Sequence, residues 1–170
     1  MIDAGGIPEF VAALQHSTSI LVKAAAWGLL HNVLHGPYIA TQWAAEGVIP
    51  QLLEALVRCG TDSEVCCGVH AAMKEVVKHC SQPNPLFALV SENVPEDLAT
   101  QAMSRLYSIM QESVVGRRDF VTTGNLLKLQ QLEKTWGSAG SDCVLAINSL
   151  FPRDVVTYYR QSQGLSAAGG

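Results

Sequence analysis

Charge is scarce in this sequence: Asp, Glu, Lys and Arg make up 15% of its 170 residues, against about a quarter in ordinary soluble domains. A surface this poor in charge predicts that part of it is covered by a partner. Its 11 Lys and Arg are outnumbered by 15 Asp and Glu, giving a net charge of −4, and they form no dense stripe. Affinity for nucleic acid grows with each phosphate neutralised, so nucleic acid is not an expected partner. Long apolar runs are missing as well. The longest, such as Ala24 to Leu30, fall far short of the roughly 20 residues of a membrane span, and the amino terminus lacks a basic-then-apolar signal layout. No membrane partner is expected. The five cysteines make an odd count, and the adjacent Cys66 and Cys67 are poorly placed to bond each other. This usage suits a reducing compartment, and the expectation is a cytoplasmic protein.

Apolar residues, by contrast, make up 48% of the chain. That suffices for one real core and excludes disorder as the main state. A repeat is visible in them: Gly5, Ile7, Pro8, Phe10, Val11 and Leu14 are echoed by Gly47, Ile49, Pro50, Leu52, Leu53 and Leu56, an offset of 42 residues. Such a spacing belongs to stacked helical repeats. A weaker third echo sets Gly124, Leu126 and Leu129 on Gly47, Ile49 and Leu52, with Phe120 on Trp43, so one repeat boundary between them is blurred.

Glycine followed within a few residues by proline supplies the punctuation. Glycine lets the chain reverse, and proline is harmless in a first helical turn, where its missing N–H had no partner. Ser19 is placed to cap a helix running to about His35, apolar around nearly its whole circumference. A short helix over 38–46, a medium one over 49–58 and a long one from Asp62 or Ser63 to about His79 follow. Beyond the Gln82-Pro83-Asn84-Pro85 interruption the spacing predicts a shortened helix over 86–91. The next runs from Pro95 to about Glu112, with Glu96 and Asp97 favoured by its dipole. Further helices are predicted over 116–122, 126–136, 142–150 and 153–160, with Gly137 to Gly140 as a flexible joint. The approximate units are 5–46, 47–92, 93–123 and 124–160, and 161–170 is expected to be a disordered tail.

The period and the short-medium-long triplet resemble the armadillo repeat family. More narrowly, Gly116-Arg117-Arg118-Asp119-Phe120-Val121-Thr122-Thr123-Gly124 and the ending Asn148-Ser149-Leu150-Phe151-Pro152-Arg153-Asp154-Val155-Val156-Thr157-Tyr158-Tyr159 are similar to family members of the ciliary central pair. The resemblance implies an all-α, right-handed solenoid of about three to four three-helix units. It also implies a non-enzymatic scaffold of the cilium or flagellum axoneme, whose partners are other central-apparatus proteins or microtubules. A cytosolic armadillo adaptor that holds extended peptides in its concave groove is the alternative.

Stacked units expose their third helices along that groove, where side chains pair with a peptide's free backbone groups. In peptide-binding relatives the third helix carries Trp and, four residues on, Asn. Here Trp27 matches the Trp and His31 takes the amide position, with Asn32 one step out of register. The later units offer Ala71 with Glu75, then Ser104 with Ser108, so the ladder is eroded. Lys23, Trp27 and His31 nevertheless lie on adjacent turns, a basic-aromatic stripe suited to an acidic segment. Core packing is the competing reading of the indole. Arg117 and Arg118 form a basic corner that could reach an acidic partner, or be a solvated turn. Tyr158 and Tyr159 end the last predicted helix, where packing is the favoured role.

His31 with His35, and Cys66 with His70, have the spacing of metal ligands on a helical face, but neither pair completes a site. Cys80 and Cys143 have no base or orienting acid nearby in sequence, and no phosphate-cradling loop is present. No metal, cofactor or enzymatic activity is expected. The chain starts at a second helix of a unit, which leaves Phe10, Leu14 and Leu21 as an open, uncapped end. Self-association or partner docking through that end is expected.

Overall fold

A computed structural model describes residues 47–58, 63–135 and 138–166, together with positions 12, 13, 24, 27, 28, 31, 38 and 41. Every regular element among the described residues is a helix, with no strand among them and an architecture consistent with an armadillo-like helical repeat. The helices are α1 (Val48–Arg58), α2 (Ser63–His79), a 3-10 helix η1 (Asn84–Leu89), α3 (Glu96–Glu112), α4 (Val114–Thr122), α5 (Asn125–Thr135), α6 (Ser138–Asn148) and α7 (Arg153–Ser166). No helix among the described residues is long and apolar enough to cross a membrane. The chain divides into two compact units, Met1–Ser81 and Gln82–Gly170.

In the first unit, Gly47 turns the chain at φ 81°, a left-handed conformation that favours glycine, and α1 begins directly after it. Pro50 falls in the first turn of α1, where its missing N–H costs nothing. Val48, Ile49, Leu52 and Ala55 recur on one face of α1 and are buried. They meet α2, whose Val69, Ala72, Met73, Val76 and Val77 are also buried. The carbonyl of His79 at the end of α2 accepts a 2.8 Å hydrogen bond from the Thr41 hydroxyl, which satisfies one of the orphan acceptors of a helix terminus.

In the second unit, η1 replaces the predicted helix over 86–91 and starts earlier, because Pro85 fits its first turn. Leu86 and Leu89 anchor η1 in the core, and it packs on α3 and α4. Buried positions on α3 (Leu98, Ala99, Ala102, Met103, Leu106, Met110) recur every three or four residues. That face packs along α6, where Val144 and Ile147 are buried. The α5 helix contacts α4, α6 and α7.

Two expectations are corrected. The segment from Ser138 to Gly140 is the first turn of α6 instead of a flexible joint, and Gly140 is buried there. Packing outweighs the helix-breaking preference of a glycine. The last helix, predicted to stop at Arg160, runs on to Ser166. Gln161 and Gln163 tolerate helix well, and the Ser162 hydroxyl donates to the Tyr158 carbonyl at 2.8 Å.

The weaker echo is matched between α1 and α5, while Gly5, Ile7, Pro8, Phe10, Val11 and Leu14 of the first copy lie outside the described residues. Gly124 opens α5 at φ 78°, matching Gly47 before α1. Ile49 and Leu126, and Leu52 and Leu129, are each fully buried. Gly124 follows Gly47 by 77 residues, seven short of two 42-residue periods. The six-residue η1 lies within this shortened interval.

Candidate interaction surfaces

The Gly116-Arg117-Arg118-Asp119-Phe120 segment separates into structural and outward residues. Ser113, in extended conformation, caps α4 by accepting the Gly116 N–H on its hydroxyl oxygen at 2.9 Å. Arg117 folds back onto the end of α3, donating to the carbonyls of Met110 and, at 3.0 Å, Gln111. A cation there satisfies the last carbonyls of α3 and meets the negative end of its dipole. Phe120 is fully buried between Phe87 of η1 (ring centroids 5.3 Å) and Phe151 (6.1 Å). Arg118 alone points away: its side chain is 72% exposed and reaches the adjacent Asp119 carboxylate at 3.7 Å. The two arginines expected to form one basic corner therefore have different tasks.

Gly116 is needed for close approach. A Cβ there would lie 2.9 Å from Cγ of Pro83 and 3.1 Å from the Ser113 hydroxyl oxygen. Alanine would gain about 1 kcal/mol in helix propensity, but overpacking against a rigid proline ring costs about 1–3 kcal/mol. Gly116→Ala is therefore expected to lose about 1 kcal/mol net in urea unfolding, and a more stable variant would contradict the packing account.

Of the predicted groove residues, Trp27 and His31 are helical; the indole is 48% exposed and His31 is exposed. Glu75 on α2 is half-buried and is engaged on its own helix, 3.3 Å from Lys78 Nζ and 3.6 Å from His79 Nε2. Ser108 is exposed on α3, and its hydroxyl donates to the Ser104 carbonyl at 3.1 Å. Lys23 and the open-end residues Phe10, Leu14 and Leu21 lie outside the described residues, as does His35.

The cysteines depart from expectation. Cys66 is disulfide-bonded. Cys67, Cys80 and Cys143 are free thiols, so its partner lies outside the described residues. Bonded in this way, Cys66 offers no thiolate to pair with His70 on a metal. Among the described residues no group of three His, Cys, Asp or Glu is placed to hold an ion.

A polar clasp on the second unit was missed in the sequence. Gln130 of α5 and Asn148 of α6 are both buried and exchange amide hydrogen bonds, at 2.7 Å from Gln130 Nε2 to Asn148 Oδ1 and 3.4 Å in return. Arg160 of α7 adds Nε to Gln130 Oε1 at 3.1 Å and Nη2 to both carboxylate oxygens of Glu133 at 3.0 and 3.1 Å. Gln130 lies four residues after Leu126 and one after Leu129, on the buried face of α5. A polar residue in that register was the available signal.

No protein-family model matches the chain. Human sperm-associated antigen 6 is 25% identical over 153 residues, which cover 89% of this chain and 30% of that protein. The mouse protein is 24% identical with the same coverage. The chain is distantly similar to part of sperm-associated antigen 6. Sperm-associated antigen 6 is an armadillo-repeat protein, in keeping with the helical repeat described above. The chain spans less than a third of the length of these two relatives.

Proposed function

We propose that this chain is a non-enzymatic scaffold of the motile cilium or flagellum, built into the axonemal central apparatus and acting by presenting surfaces to other proteins or to microtubules. The observation that carries the reading is the similarity to sperm-associated antigen 6 along 89% of the chain, in a molecule whose regular elements among the described residues are all helices. The low charge content fits a surface made to be covered. Self-association or docking through Phe10, Leu14 and Leu21 belongs to the same proposal. So does contact through the third-helix residues Lys23, Trp27, His31, Glu75 and Ser108. The second reading, a cytosolic adaptor for extended peptides, draws on the exposed Trp27 indole with His31 four residues on.

A tagged copy expressed in ciliated cells separates the two. The scaffold reading expects the tag to stay on the axoneme after detergent extraction. A diffuse signal lost on extraction would reject the scaffold in favour of the adaptor.

A further inference from the structure

Val114 and Val121 of α4 line an open groove of about 340 Å³ together with Leu150, Phe151 and Val155 from the α6–α7 turn and the start of α7. Val114 is 70% exposed and its neighbour Val115 59%, so exposed aliphatic side chains stand at one edge of the groove, whose lining also holds the exposed Thr122. Two arginines, Arg117 and Arg118, are the charged residues of the lining, and no carboxylate is among them. Arg117 is committed to the carbonyls at the end of α3. Among the described residues Arg118 reaches the adjacent Asp119 carboxylate at 3.7 Å, longer than a charge-assisted hydrogen bond. On a chain of net charge −4, this places a cation beside an apolar trough.

We propose that this groove docks a short acidic segment of a partner protein, an aliphatic side chain entering the trough while a flanking carboxylate takes a bidentate pair from Arg118. The apolar lining accounts for the aliphatic anchor, since only such a side chain gains by displacing water there. The exposed guanidinium accounts for the acid, because its planar fork matches a carboxylate and repels a basic segment. It also explains why Arg118 is present in a segment whose other residues serve the fold: Gly116 for approach, Arg117 for capping, Phe120 for the core. The inference deepens the reading of this chain as a scaffold by naming one partner's chemistry. It concerns binding by the isolated chain, so axonemal retention and this interaction fail separately.

The test uses the full chain and three fluorescein-labelled peptides: Glu-Glu-Leu-Glu-Glu, the same peptide with Ser for Leu, and the same with Lys for every Glu. Fluorescence anisotropy is expected to show the first binding about tenfold tighter than either control, weakening as salt is raised. Arg118→Glu and Val114→Asp, both at exposed side chains, are each expected to weaken it by about tenfold with unchanged unfolding midpoints. Absence of saturable binding by the acidic leucine peptide overturns the proposal, as does equal binding of the lysine peptide. Indifference to both variants overturns it too. Self-association of the wild-type chain in sedimentation that both variants abolish would assign the groove to a second copy and overturn the proposal.

Discussion

Phe120→Ala should cost about 3–5 kcal/mol of unfolding free energy, the range for truncating a fully buried phenylalanine. The reason lies in where the ring sits. Phe120 is wholly buried and meets Phe87 edge-on at 5.3 Å and Phe151 in a near-parallel stack at 6.1 Å. It therefore joins α4 to η1 on one side and to the α6–α7 turn on the other, and alanine would leave both rings without a partner. Each aromatic pair adds about 0.5–1.5 kcal/mol beyond area burial. Domains hold only about 5–15 kcal/mol in total, so the variant should lose a large share of its margin. Urea unfolding followed by circular dichroism measures the loss. Val114→Ala, at an exposed position of the same helix, is the control and should shift the midpoint little. A loss under about 1 kcal/mol for Phe120→Ala would mean that the second unit is not organised around this ring.

Phe120 also shows how far the sequence could be followed. Its expected match, Trp43, lies outside the described residues, but the register shared by α1 and α5 was legible because a period of apolar residues records which face of each helix is buried. Gly47 and Gly124 share a left-handed backbone, and Ile49, Leu52, Leu126 and Leu129 are all fully buried, as their register demanded. These features are local and periodic, and they survive in one sequence. Those that depend on the partner across a helix interface do not. The turn at Ser138 to Gly140 reads as a joint by composition and is helical because the chain packs there. Arg117 and Arg118 are indistinguishable as letters. Only the position of the end of α3 sends one to its carbonyls and leaves the other facing solvent. The disulfide at Cys66 likewise depends on which thiol the fold brings near, which spacing alone does not determine. For the interaction surfaces the sequence supplied candidates, and the structure separated the arginine used in capping from the one beside an apolar groove.

The clasp between α5, α6 and α7 leads to the second large effect. Gln130→Leu should destabilise the second unit by about 1–3 kcal/mol, because it strands the buried Asn148 amide, which has Gln130 as its described partner for both oxygen and nitrogen. Arg160 keeps its Nη2 contacts with Glu133, so α7 is loosened without being released. Asn148→Leu should cost less, since it strands only Nε2 of Gln130, whose Oε1 still accepts from Arg160. The double variant should be milder than the sum of the two, since replacing both amides with apolar groups of similar size strands neither amide and leaves only the part-buried Arg160 Nε without its Gln130 acceptor. Strict additivity in unfolding free energies would show that the two amides do not depend on each other. The same cycle bears on the groove beside Arg118, one wall of which is Val155 in the first turn of α7. If Arg160 and Gln130 hold α7 in place, Gln130→Leu should weaken the acidic leucine peptide as well, through a groove less well formed and with every residue of its lining intact.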